Sequence, residues 1–408
     1  MKPASTSRPS NKYHLTIMAA LLSMVGPFTI DAYLPSFPAI EAEFEVSRAV
    51  LSQSLAVYLA AFAISTLLWG PMSDRIGRRL VILSSLFVYV LASIGCALAD
   101  DSNSFLLLRT LQGFAASGGL IAGRAMIRDA HDTESAHRAM SQVILLFAIA
   151  PAIAPILGAW LHEYYGWRSV FWFLSVFGML MILVAVFMKE TLGVDHRHSF
   201  HPVSVIKIYS RTIRHGQFVG MCLSLSFAFA GLFLYIAGAP TVIYDFLHLG
   251  SHDFGQQFIP MVGGMMLGAY ISSQLAHRWA KVRTIFFGFS IMIISMIFNI
   301  ILVTLFKPDI YTVIGPLVTY VIGLAMAMPA ITIMALDCFP KNRGAAASMQ
   351  GFFQMMINAG VAGIAVPLLH TQQLHFVLGQ LVFLVMALML WQISRRWDIW
   401  GQSKNSDA

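Results

Sequence analysis

Charge is scarce in this chain. Of 408 residues only 11% are Asp, Glu, Lys or Arg, against 58% hydrophobic. A soluble protein of this length needs far more polar surface, so a soluble fold is excluded. Cysteine is rarer still: Cys96, Cys222 and Cys338 fall in or beside apolar segments, without metal-ligand spacing. No disulfide and no metal site is expected from them. The sequence also lacks HExxH, GxSxG, a P-loop and any nucleotide-binding glycine run, and its 13 histidines lie mostly in loops without ligand spacing. Enzyme chemistry therefore finds little support, and no cofactor is expected.

What the chain has instead is a succession of apolar runs of helical length. They fall near 15–37, 50–71, 80–99, 104–123, 139–161, 167–188, 217–240, 254–276, 284–306, 310–334, 344–369 and 374–394. Each is long enough to cross a bilayer, which predicts an all-α polytopic membrane protein with twelve transmembrane helices. The leading stretch "MKPASTSRPSNKYH" is polar and basic, and the run after it is too long for a signal-peptide core. It lacks an Ala-x-Ala-like cleavage site before Asp31, so it reads as a retained first span.

Loop charge tests that count. With the N-terminus in the cytoplasm, 22 Lys/Arg fall in cytoplasmic segments and three (Arg48, Arg168, Lys307) in external ones, with Arg109 inside a span. This asymmetry is the positive-inside rule, and it puts both termini in the cytoplasm. External turns carry acids, as in "EAEFE" at 41–45 and Asp100-Asp101. The net charge of +7 thus follows from membrane topology, and no nucleic-acid partner is expected. Nine Asp/Glu fall on each side and one, Asp31, falls inside a span. Histidine aside, Asp31 and Arg109 are the whole intramembrane ionisable set.

The longest polar connection, 189–216, separates stretches of similar length. The expected organisation is a tail at 1–14, a six-helix bundle at 15–188, a cytoplasmic linker at 189–216, a second bundle at 217–394 and a tail at 395–408. A faint repeat agrees: "GPMSDRIGRR" begins 55 residues into the first half and "SQLAHRWAKVR" 56 into the second. The echo keeps the arginine at Arg75 and Arg278 but replaces Asp74 with His277, so the first copy is read as the functional one.

"GPMSDRIGRR" occupies the short turn between spans 2 and 3. Gly70 is expected to permit close helix approach and Gly77 the tight reversal, with Asp74 capping the next helix and pairing with Arg75, Arg78 or Arg79. The positive-inside rule alone explains the arginines but not the Gly-x-x-x-Asp-Arg-x-Gly-Arg-Arg spacing. The motif resembles the signature loop of the major facilitator superfamily, and twelve spans in two pseudo-symmetric bundles around a central cavity agree with that fold. In the family this loop is a conformational latch, which implies that role for Gly70, Asp74, Arg75, Gly77, Arg78 and Arg79.

"LLLRTLQGFAASGG" in span 4 is similar to a second signature, that of the family's proton-coupled members. It puts Arg109, Gln112 and Gly113 on one face. Arg109 could instead snorkel to external headgroups, lying roughly 8 Å inside the edge near Ser104 at 1.5 Å per residue. Asp31, near the external end of span 1, is expected at similar depth, where a direct or water-bridged contact with Arg109 is open. A carboxylate there costs a few kcal/mol even on mild insertion scales. Asp31 is therefore the candidate proton carrier with Arg109 modulating it; a static buried ion pair is the structural alternative.

Span 5 contains "AIAPAIAPILGAWL", whose Pro151, Pro155 and Gly158 predict a bent helix with a closely packed neighbour. An ordinary transmembrane kink would look the same. Family antiporters carry a Gly/Pro-rich signature here, usually with a Gly-Pro pair, whereas this chain has Ala150-Pro151. The Ala-Pro-x-x-Ala-Pro form, "TIDAYLPSFPAI" and "GRAMIRDAH" resemble the bicyclomycin-resistance (Bcr/CflA) branch of drug exporters. Candidate cavity residues are Tyr33, Gln53, Tyr58, Gln112, Tyr235, Asn299, Gln354 and Asn358, polar or amphipathic groups within spans. For each, helix–helix hydrogen bonding is an equal alternative.

The resemblance implies a monomeric drug/proton antiporter that exports small amphipathic compounds by alternating access, with protons, a small-molecule substrate and the lipid bilayer as partners. The alternative keeps the fold and exports an endogenous metabolite such as a siderophore or amino-acid derivative. A receptor or a channel fits less well, since the chain has only short tails and no continuous polar path.

Overall fold

In hydrocarbon every backbone N–H and C=O must be satisfied within its own segment, and a run of about 20 apolar residues does so as a helix. The computed structural model describes residues 9–193, 202–276, 278–340 and 342–406, and among these there is no strand. His277, the middle of the linker, and the extreme ends of both tails lie outside the described residues, as does the reading placed on the Asp74-to-His277 exchange.

The helices are α1 (Pro9–Asp31), α2 (Phe37–Phe44), α3 (Arg48–Ile76), α4 (Arg78–Leu98), α5 (Ser102–Ala130), α6 (Thr133–Tyr165), α7 (Arg168–Phe187), α8 (Pro202–Ile213), α9 (Gly216–Ala237), α10 (Phe254–Leu275), α11 (Lys281–Leu305), α12 (Ile310–Asp337), α13 (Arg343–Gly360), α14 (Val366–Leu369) and α15 (Gln373–Ser406). They make twelve membrane spans at the twelve expected places. The helices from α1 to α7 pack as one six-span bundle and those from α9 to α15 as a second, with α8 between them in the chain. Below, the basic face is the end carrying the start of α1 and the turn between α3 and α4; the opposite end is the far face.

Span 1 departs from the expected unbroken helix. α1 stops at Asp31, a tight turn covers Leu34–Ser36, and α2 restarts at Phe37. Pro35 and Pro38 favour the break, since neither offers the N–H that would continue the helix onto the carbonyls of Asp31 and Leu34. α6, by contrast, runs through Pro151 and Pro155 without interruption.

Side chains close the helix starts. Asp101 Oδ1 accepts from the backbone N–H of Asn103 and Ser104, both at 2.9 Å, at the N-terminus of α5. The Ser104 hydroxyl and these amides hold the Asp101 carboxyl below the usual carboxylate range. Small residues set the closest helix crossings. A Cβ on Gly113 would stand 2.1 Å from the Tyr58 carbonyl oxygen, and one on Gly158 only 1.7 Å from that of Ala32.

The two bundles are tied at the far face. Arg48 pairs with Asp245, and Glu163 with His252. The Tyr244 hydroxyl donates to Pro35 O at 2.7 Å, and Gln53 Nε2 donates to Gly363 O at 2.8 Å. Among the described side chains no ion pair joins the bundles at the basic face. The interior is therefore sealed at the far face. Asp245→Arg should loosen this seal by like-charge repulsion, and adding Arg48→Asp should restore it. The readout is maleimide labelling of a cysteine placed at the buried Ser36, expected to accelerate about threefold to tenfold in the single variant only, the scale of a partly exposed charge pair.

Candidate functional site: a buried acid and a boxed arginine

Asp31 is the last residue of α1 and is 3% exposed. Its Oδ1 atom has no hydrogen-bond partner, and no ion pair reaches its carboxyl among the described residues. A helix C-terminus carries partial negative charge from its unpaired carbonyls, so nothing in the local backbone compensates an anion there. Gly158 of α6 lies against the backbone of the adjacent Ala32. The span 5 motif thus packs directly on the break in span 1.

Arg109 on α5 is completely buried. This rules out snorkelling to headgroups. Its Nη1 donates to Gln112 Oε1 at 2.6 Å, and Nη1 and Nη2 both reach Thr29 O at 3.3 Å. The guanidinium lies 4.4 Å from the ring centre of Tyr33 and 4.6 Å from that of Tyr58, with Phe171 at 5.9 Å. The carbonyl end of α1 and two aromatic faces are its partners in place of a carboxylate.

The direct contact between Asp31 and Arg109 that the sequence left open is not made: no ion pair joins them. Arg109 reaches α1 two residues short of Asp31, at the Thr29 carbonyl. Tyr58 lies in the same buried cluster, its ring against the Arg109 guanidinium. A planar cation matters in this box. Arg109→Lys should keep the charge but lose the stacked face and the paired donors, costing about 2 kcal/mol. Thermal unfolding of the purified protein in detergent checks this.

A polar shell surrounds the box. Gln112 Nε2 donates to Ser93 Oγ at 2.8 Å, the Thr29 and Tyr89 hydroxyls bond at 2.7 Å, and the Tyr33 and Ser54 hydroxyls at 3.1 Å. Thr29, Ser54, Tyr89 and Ser93 were not singled out from the sequence. The i, i+4 pair Tyr89 and Ser93 on span 3 was the available signal.

The other cavity candidates disperse. Tyr235 and Asn299 meet in the second bundle, where Asn299 Nδ2 lies 3.4 Å from the Tyr235 hydroxyl and 3.5 Å from Gln380 Oε1. Gln257 donates to Tyr235 O at 2.7 Å, so Gln257 and Gln380 belong to this cluster as well. Asn358 is buried with its Oδ1 unpartnered, and Gln354 is half-buried. Gln53 belongs to the far-face seal.

At the basic face Asp74 pairs with Arg78 at 2.5 Å, and Arg78 Nε reaches Asp129 at 3.0 Å. Gly77 adopts φ +104°, a conformation other residues rarely take. Two expectations fail here. Asp74 does not cap α4: the Glu190 carboxylate does, accepting from the Arg78 and Arg79 N–H at 3.0 Å each. Gly70 does not mediate close packing, since a Cβ there would meet nothing within 4 Å. Arg79 bonds the Ala185 and Val186 carbonyls at 3.3 and 2.5 Å, and Arg75 is exposed.

Twelve spans in two bundles, sealed at one face over a lone buried acid, define a polytopic membrane transporter and not an enzyme. The chain belongs to the Major Facilitator Superfamily, whose sequence profile matches residues 19–367. It is a multi-pass protein of the bacterial inner membrane. The MFS-type transporter YdgK of Bacillus subtilis is 27% identical, over 92% of this chain and 96% of its own length. The chloramphenicol resistance protein CraA of Acinetobacter baumannii is 29% identical, over 68% of each chain. The bicyclomycin resistance protein homolog of Haemophilus influenzae is 26% identical, over 63% of this chain and 65% of its own. Among solved structures, a D-xylose–proton symporter superposes with a TM-score of 0.73 at 13% identity, covering 94% of this chain and 97% of its own. At that identity the likeness is one of fold.

Proposed function

We propose that this chain is a proton-coupled antiporter that exports small amphipathic compounds by alternating access. One observation carries the reading: the single acid within the spans ends a broken helix, buried and with Oδ1 unpartnered, while the neighbouring cation bonds Gln112 and the Thr29 carbonyl instead. Burial without a donor disfavours the charged form of a carboxylate, and water entering an opened cavity restores it. A group so placed changes its protonation state with the conformational cycle. Protonation from outside favours substrate release, and deprotonation inside frees the site for the next load.

In this reading Arg109 positions the end of α1, and the cluster of Tyr33, Tyr58 and Gln112 carries changes in its packing to Asp31. The loop from Gly70 to Arg79 acts as the latch of the basic face, which is cytoplasmic and holds both termini. Bundles at 15–188 and 217–394 rock about the cavity, and the working unit is a monomer. The relatives named for resistance to chloramphenicol and bicyclomycin support drug-like cargo.

The test is substrate-induced proton release from purified protein over a compound panel that includes chloramphenicol. Release upon binding supports coupling, and binding with no release from any compound refutes it.

A further inference from the structure

Arg124 has no part in the site above. It lies on α5 fifteen residues beyond Arg109, roughly 22 Å further toward the basic face at 1.5 Å per residue. At about 100° per residue it falls within about 20° of Gly113 and Ser117 and about 60° of Arg109, but about 140° from Leu111. Gly113 and Ser117 face into the bundle, toward Tyr58 and Ser65 of α3, whereas Leu107 and Leu111 are exposed at 71% and 42% on the apolar outer side. Arg124 therefore points inward.

Its side chain is nonetheless exposed, while Gly123, Ala125, Met126 and Ile127 around it are buried. That combination marks a cavity wall. Since the bundles are sealed at the far face, this cavity opens at the basic face, and Arg124 stands near its mouth.

The guanidinium there has no counter-charge. No hydrogen bond or ion pair of Arg124 occurs among the described residues. Of the described acids of the first bundle at the basic face, Asp74 and Asp129 hold Arg78, Glu190 caps α4 and Asp132 caps α6. Inside the spans the only acid is Asp31, sealed at the other end of the bundle. An arriving compound thus meets an uncompensated planar cation with free donors, the group best suited to a carboxylate or sulfonate.

We propose that Arg124 determines charge specificity: the compounds loaded from the basic face are amphipathic anions, and lipophilic cations are disfavoured. The proposal rests on the export reading for its direction of loading. Water and free donors allow a bidentate contact to an acidic headgroup while the apolar body of the compound enters the cavity. A cation of the same shape meets repulsion.

Tetraphenylborate and tetraphenylphosphonium share a shape and differ in charge, so they separate this effect from greasy binding. Affinities of both are measured on purified protein in one detergent, for the native chain, Arg124→Gln and Arg124→Lys, so that micelle partition cancels between variants. Arg124→Gln should weaken tetraphenylborate about tenfold by removing the attraction of the guanidinium for an anion that offers no hydrogen-bond acceptor, and tighten tetraphenylphosphonium. Arg124→Lys should keep the native order. Equal changes for both probes, no change for either, or no tetraphenylborate binding by the native protein would each overturn the proposal. Chloramphenicol tolerance of cells expressing the native chain decides the export reading separately, because the binding comparison needs no transport.

Discussion

Asp31→Asn is expected to reduce proton-driven export by about two orders of magnitude while the protein stays folded. Asparagine has nearly the shape of aspartate but no proton to exchange, and no other acid lies within the spans. Because the carboxyl makes no hydrogen bond or ion pair that the change would break, stability should move by no more than about 1 kcal/mol. Two measurements are needed: export driven by an imposed pH gradient in inverted vesicles, and thermal unfolding of purified protein. Exchange of substrate without a gradient should survive, since alternating access does not itself require the proton. Full gradient-driven export by the variant would remove Asp31 from the coupling mechanism.

Gly158→Ala should have the largest effect on stability, a loss of about 3 kcal/mol, at the upper end for overpacking. The new Cβ would meet the carbonyl oxygen, carbonyl carbon and Cα of Ala32 at 1.7, 2.6 and 2.8 Å. These are backbone atoms, so no side chain can rotate away, and α6 must lift from the turn that follows Asp31. Gly70→Ala is the matched control. It lies inside α3 with nothing within 4 Å of the added methyl, so it should gain about 0.5–1 kcal/mol from helix propensity. Thermal unfolding of both variants in the same detergent checks the contrast; a neutral Gly158→Ala would contradict the close crossing.

Much of the architecture was legible in the residues themselves. Span count follows because hydrocarbon forces each apolar run to satisfy its own backbone. The turn at Gly77 could be read because its conformation is local. Residue pairing was less legible. Asp31 and Arg109 are the only charges inside the apolar runs and invited an ion pair, but a guanidinium also takes the carbonyl end of a helix and the faces of two tyrosines as partners. Gly70 and Gly158 are the same residue type in helices of similar kind, and only the neighbour that arrives beside each tells them apart. Asp74 was an adequate cap for α4, but Glu190, from a different part of the chain, occupies that position.

By itself the sequence determined what is set by local chemistry and by the membrane: twelve helical spans, their charge asymmetry, the break-prone prolines after Asp31 and the rarity of charge within the spans. Tertiary structure alone decided what depends on which surfaces meet. It boxed Arg109 between Tyr33 and Tyr58, left the Asp31 carboxyl without an ion pair, joined the bundles at one face through Arg48 and Asp245, and left Arg124 exposed on a helix face that otherwise turns inward. The physical reason is range. Hydrophobic length and backbone satisfaction act within a segment, whereas pairing and burial depend on groups brought together from distant parts of the chain.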